Sequence, residues 1–144
     1  MGSVQIDKWS LGLECLLQDP KGVVAFTKYL ESEFSSENIR FWLLCKAYKA
    51  SLLTELQEKA EKIFQMFLSR KAEYQVDVSV QVMADIKEGM KHPTYATFHE
   101  AQKGVFRVME RDGYPRFLQM LQESILLTPK KKRKKRQTFS CNLL

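Results

Sequence analysis

Apolar residues along this chain recur mostly at three- and four-residue intervals. The clearest run is Leu56, Ala60, Ile63, Phe64, Phe67 and Leu68, which share one face of a 3.6-residue period and predict an amphipathic helix over 55–70. Thr54 to Gln57 matches a capping box, in which the Thr and Gln side chains satisfy orphan backbone donors at a helix start. Asp19-Pro20 predicts another start, with the cap oxygen on Asp19 and Pro20 at the first helical position. Phe34-Ser35-Ser36-Glu37-Asn38 then interrupts two apolar helical runs. Ser35 or Ser36 is the expected cap of the second, and Glu37 is favourable in its first turn. Phe26, Tyr29, Phe34, Phe41 and Trp42 keep helical spacing and read as core.

Further on, Asp112-Gly113-Tyr114-Pro115 breaks the pattern, with Gly113 supplying a permissive backbone and Pro115 an early helical position. Residues 76–82 alternate strictly, as a strand would, but no second segment alternates well enough to pair with them. They are expected to form an extended loop leading into a helix over 80–90. The chain is therefore expected to be all-α, with helices through most of residues 6–127 and no internal repeat.

At 144 residues the chain fits one domain with one sizeable core. No apolar run approaches the roughly 20 residues of a membrane span. Cys15 and Cys45 lie in apolar helical patterns and read as buried reduced thiols of a cytosolic protein. The net charge of +6 is concentrated in one place. The run 130–136 holds seven of the 23 basic residues, leaving sixteen against seventeen acidic ones, a net of about −1. A nucleic-acid-binding domain carries its basic residues on a folded face, so no nucleic-acid partner is expected.

Candidate chemistry is sparse. The two histidines, His92 before a proline and His99 near a helix start, have no Cys, Asp or His at ligand spacing. No glycine-rich phosphate loop is present. The residues point to a binding protein without catalytic residues of its own, with no metal and no cofactor.

The ordered pieces, from Lys8 to Leu127, resemble the RGS domain, the fold of regulators of G-protein signalling. They are "KWSLGLECLLQDPKGVVAFTKYLESEFSSENIRFWLLCKAYK", "QEKAEKIFQMFLS" and "HPTYATFHEAQKGVFRVMERDGYPRFL". The resemblance implies a bundle of about nine helices in two subdomains, over 6–128, acting as a monomer. It also implies a GTPase-activating role: binding a GTP-loaded Gα subunit, of the inhibitory class by "LLQDPKG" and "KHP", and holding its switch loops in their transition-state arrangement. On the same basis the Gα-facing residues are Glu33, Phe34, Ser35, Ser36, Glu37 and Asn38 in a first loop, Asp77 in a second, and Val108, Asp112, Gly113 and Arg116 around a third. Asp112 would accept from the switch backbone, and Arg116 would pair with Asp112 and steady it.

Two positions depart from the family pattern. Asp77 stands where an asparagine is usual, and an ionised carboxylate accepts hydrogen bonds but cannot donate them. Gly113 replaces the usual serine. Weak activation, or an RGS-like scaffold with none, is therefore the alternative function.

The tail, 129–144, is expected to be disordered, and it ends in Cys141-Asn142-Leu143-Leu144, a C-a-a-X box that marks Cys141 for prenylation. Lys130, Lys131, Lys132, Arg133, Lys134, Lys135 and Arg136 would add electrostatic attraction to anionic lipid, giving the two signals that stable anchoring needs. The expected location is the cytoplasmic face of the plasma membrane, with a cytosolic pool. A nuclear-localisation signal and a merely soluble, disordered tail are the other readings of the same run.

Overall fold

A computed structural model describes residues 3–127, with side chains from 5 to 126. The protein is all-α, with eight α-helices and no strand among the described residues. The helices are α1 (Ser3–Trp9), α2 (Leu13–Gln18), α3 (Pro20–Ser32), α4 (Glu37–Lys49), α5 (Leu56–Ile63), α6 (Val80–Gly89), α7 (His99–Arg111) and α8 (Gly113–Leu127). With a 3-10 turn and a π-helical segment beside them, these fit the implied bundle of about nine, and residues 91–98 make turns. Pro93 lies in this stretch, and a proline biases its preceding residue away from helical conformation.

Two compact units emerge. Among the described residues, one joins the chain from Ser3 to Glu33 with the chain from Glu110 to Leu127, and the other is Phe34–Met109. In the first unit Phe117 is the centre of the core, with ring centroids of Phe26 at 5.2 Å, Tyr29 at 5.6 Å and Trp9 at 6.3 Å. Asp19 organises the turn between α2 and α3. Its Oδ1 accepts from the Lys21 N–H at 3.0 Å, as the sequence predicts for an N-cap, and its Oδ2 accepts from Trp9 Nε1 at 2.9 Å. One carboxylate therefore caps a helix and satisfies a buried indole. The indole hydrogen bond is the main reason Asp19 titrates below the ordinary carboxylate value.

The second unit holds α4 to α7 around Phe41, Tyr48, Ile63, Phe67, Phe98 and Val105. Tyr48 and Phe98 meet edge to face at 5.2 Å, and the Tyr48 hydroxyl donates to the Thr94 carbonyl at 2.7 Å. The predicted apolar face of α5 is buried at Leu56, Ala60, Ile63, Phe67 and Leu68. Its start differs from the expected capping box. The chain enters through a 3-10 turn, Leu53–Glu55, and Glu55 Oε1 accepts from the Leu52 N–H at 3.4 Å, a reach made two residues earlier than expected. Its last turn widens into a π-helical segment, Phe64–Leu68.

Residues 76–79 form an extended loop, and Ser79 Oγ caps α6 by accepting from Val82 N–H at 3.1 Å. The expected loop-then-helix reading of this alternating stretch holds. Cys45 is a buried free thiol whose burial pushes its pKa up to about 12, so it is chemically quiet. Cys15 is equally buried, as its apolar helical pattern predicts.

Gly22 tests the packing of the first unit. A Cβ there would collide with the Leu16 carbonyl oxygen and stand 3.0 Å from Trp9 Nε1. Alanine gains about 1 kcal/mol of helix propensity, but forcing apart α2 and α3 costs more, about 1–3 kcal/mol. Gly22→Ala is expected to lower the urea midpoint at unchanged slope; an unmoved midpoint would mean that this contact yields freely.

Candidate functional site

The link between α3 and α4 is four residues long, Glu33–Ser36. Phe34 within it takes φ 55, the one non-glycine positive φ among the described residues, and its side chain is 95% exposed. The expectation that Phe34 belongs to the core is therefore wrong. Helical spacing stops applying once α3 ends, and the left-handed turn releases the ring from the stripe that buries Phe26 and Phe41. A bulky residue held at positive φ stores strain that surrounding structure must maintain. An aromatic ring also gains nothing from water.

In the first unit, Glu33 caps α3 and receives a forked ion pair from Arg116 of α8. Nη2 lies 3.1 Å from Oε1 and Nε lies 3.2 Å from Oε2. The Tyr29 hydroxyl donates to the same Oε2 at 2.9 Å. The expected Arg116–Asp112 pair does not form. The planar guanidinium matches the Glu33 carboxylate through two parallel hydrogen bonds, and Tyr29 already fixes that carboxylate. Arg116 holds Glu33 below the ordinary carboxylate value, and Glu33 raises Arg116 in turn. Burial, aided by Glu33, raises the Tyr29 phenol.

Asp112 sits exposed between α7 and α8. Gly113 is buried, and not for a positive φ, which no glycine here adopts. A Cβ at this position would stand 2.9 Å from Leu30 Cδ2 and 3.8 Å from Phe26 Cζ, so Gly113 permits close approach of α8 to α3. A side chain there would point into the first unit.

In the second unit, Ser36 takes the N-cap position of α4, but its hydroxyl does not cap the helix. Instead Ser36 Oγ accepts from Arg40 Nε at 3.1 Å. Glu37 and Asn38 occupy the first two positions of α4, both half-buried. Asp77 is exposed at the centre of the 76–79 loop, following the buried Val76. The Val76 N–H donates to the Phe67 carbonyl at 2.9 Å, tying the loop to the π-helical segment. Val108 is half-buried on α7.

Three contributors were missed in the sequence reading: Tyr29, Arg40 and Tyr74. The four-residue spacings Tyr29–Glu33 and Ser36–Arg40 are helical neighbours and could have flagged the first two. Tyr74, whose ring centroid is 4.8 Å from the Arg40 guanidinium carbon, has no local signal. Lys130 to Arg136 and Cys141 lie outside the described residues. Among the described residues, no group of three or more His, Cys, Asp or Glu could hold a metal ion, and no helix is long and apolar enough to cross a membrane.

A four-residue turn with a left-handed, exposed Phe34 thus precedes α4. The family described as the regulator of G protein signaling domain matches residues 12–121, so the chain belongs to that family. It is 44% identical over 115 residues to regulator of G-protein signaling 1 of Xenopus laevis, covering 79% of this chain and 57% of that protein. The human protein of the same name is 39% identical over 118 residues, covering 82% of this chain and 56% of the relative. Regulator of G-protein signaling 7 of Rattus norvegicus is 33% identical over 138 residues, covering 96% of this chain and 29% of the relative. The chain thus spans little more than half the length of the first two and under a third of the last.

The Glu33–Arg116 pair gives a signed pH dependence. Because folding lowers the Glu33 pKa, its contribution is complete above the ordinary carboxylate range and lost as pH falls through the folded value. Arg116 is half exposed, so the contribution is expected to stay below about 1 kcal/mol. Glu33→Gln is expected to flatten part of the acid-side fall in melting temperature. An acid limb identical to wild type would show that the pair contributes nothing.

Proposed function

We propose that this chain binds GTP-loaded α subunits of heterotrimeric G proteins, of the inhibitory class, and speeds their GTP hydrolysis without contributing a nucleophile or a base. The observation that carries this reading is the Phe34 turn, an exposed aromatic held at φ 55 immediately before the half-buried Glu37 and Asn38. Asn38 can both donate and accept, which suits a partner's switch backbone and side-chain amides. In the first unit, Arg116 is taken up by Glu33, and Asp112 remains exposed as an acceptor. The GTPase supplies its own arginine, glutamine and Mg²⁺, and this chain acts by preorganising the switch loops. Each tenfold in rate is about 1.4 kcal/mol, so an acceleration of two to three decades asks for about 3–4 kcal/mol of differential contact.

Asp77 supports a second reading, binding with weak or no activation. An exposed carboxylate there places an acceptor and a negative charge where the family pattern has a donor-capable amide. Single-turnover GTP hydrolysis by an inhibitory-class Gα, with and without the chain, separates the two. Acceleration that Asn38→Ala cuts at least tenfold supports the first reading. Acceleration that appears or rises only in Asp77→Asn supports the second. No binding to any Gα class in the aluminium-fluoride form would overturn both.

Attachment to the cytoplasmic face of the plasma membrane is the second part of the proposal. Its support is sequence alone: Cys141 in a C-a-a-X box beside seven basic residues, an arrangement that supplies a lipid chain and an electrostatic signal together. Tethering would raise the effective concentration of chain and Gα on one surface. Prenylation requires a free Cys141 thiol. Intact mass of the chain from cells, measured before and after reduction, is expected to show a prenyl increment that reductant does not remove. An unmodified mass, or Cys141 held in a reducible disulfide, would overturn the anchor.

A further inference from the structure

We infer that Arg40 is a positioning residue that fixes the spacing between the Phe34–Asn38 turn and the 76–79 loop, both within the Phe34–Met109 unit. The inference rests on the reading of these loops as Gα-facing. Three contacts carry it. Arg40 Nε donates to Ser36 Oγ at 3.1 Å, at the mouth of α4. The same guanidinium also lies against Tyr74, with 4.8 Å from its carbon to the ring centroid. Tyr74 is in turn fixed to the π-helical segment, by its N–H on the Met66 carbonyl at 3.1 Å and by its ring 6.2 Å from that of Phe67.

Two residues after Tyr74 the Val76 N–H holds the Phe67 carbonyl, and Asp77 follows. The path from the first loop to the second is therefore Ser36, Arg40, Tyr74, Val76, Asp77, with no other helix intervening. A planar cation suits both ends: it donates in plane to the hydroxyl and offers its face or edge to an aromatic ring. Lysine could keep the charge but not the fixed fork. The hydrogen bond also sets the chemistry of Ser36. Because its oxygen accepts from Arg40, the Ser36 O–H is left to donate elsewhere.

A residue of this kind affects how readily the partner is engaged, more than how fast the engaged partner reacts. The test uses the full chain with Arg40→Met, Arg40→Lys, Tyr74→Leu and Tyr74→Phe. Amide hydrogen exchange at Val76 in the free protein needs no partner. Arg40→Met and Tyr74→Leu are each expected to speed it about three- to fivefold, and Tyr74→Phe to leave it unchanged. With Gα, the same two variants should raise the concentration giving half-maximal acceleration about fivefold, with the saturated rate within about twofold of wild type. The double variant should be no worse than either single one, since both break one link. Arg40→Lys should resemble Arg40→Met. Unchanged Val76 exchange, additive losses, or a fall confined to the saturated rate would overturn the inference. If wild type accelerates no Gα, the proposed function fails while the exchange data still decide the clamp.

Discussion

α3 ends and α4 begins with only four residues between them, and Phe34 among them takes a left-handed conformation that glycine would adopt freely. A phenylalanine in the left-handed region costs on the order of 1–3 kcal/mol. That strain persists because both flanks are held. On one side Glu33 is bound by Arg116 and Tyr29; on the other Ser36 is bound by Arg40. α4 begins right after Ser36, with Glu37 and Asn38 in its first turn. The Phe34 ring is exposed.

Each unit treats its charged groups differently. In the first, the carboxylate at the end of α3 is committed to an internal arginine, and the carboxylate after α7 is left exposed. The pair that the resemblance implies, Arg116 with Asp112, gives way because a forked contact with a carboxylate already steadied by Tyr29 is the better one. In the second unit the guanidinium of Arg40 does similar work for a hydroxyl and a ring. Arginine recurs at both places because its planar fork can join two elements while remaining in contact with water.

The π-helical segment at the end of α5 deserves the same physical account. Widening the last turn lets Phe67 and Leu68 both enter the core, and it presents the Met66 and Phe67 carbonyls to Tyr74 and Val76. Such widened turns are frequent at functional sites. Here it anchors the loop that carries Asp77. Asp77 therefore follows a backbone tied down at Tyr74 and Val76.

Helix identity, the Asp19 cap, the loop before α6 and the apolar face of α5 were all legible in the sequence, because each depends on residues within about four positions of one another. The family, too, was carried by local order and spacing. Tertiary structure alone decided that Phe34 leaves the core, that Arg116 chooses Glu33, that Gly113 serves packing and that Tyr74 meets Arg40. In each case several partners were compatible with the spacing, and the choice among them was set by close packing and directional hydrogen bonds between residues far apart in the chain.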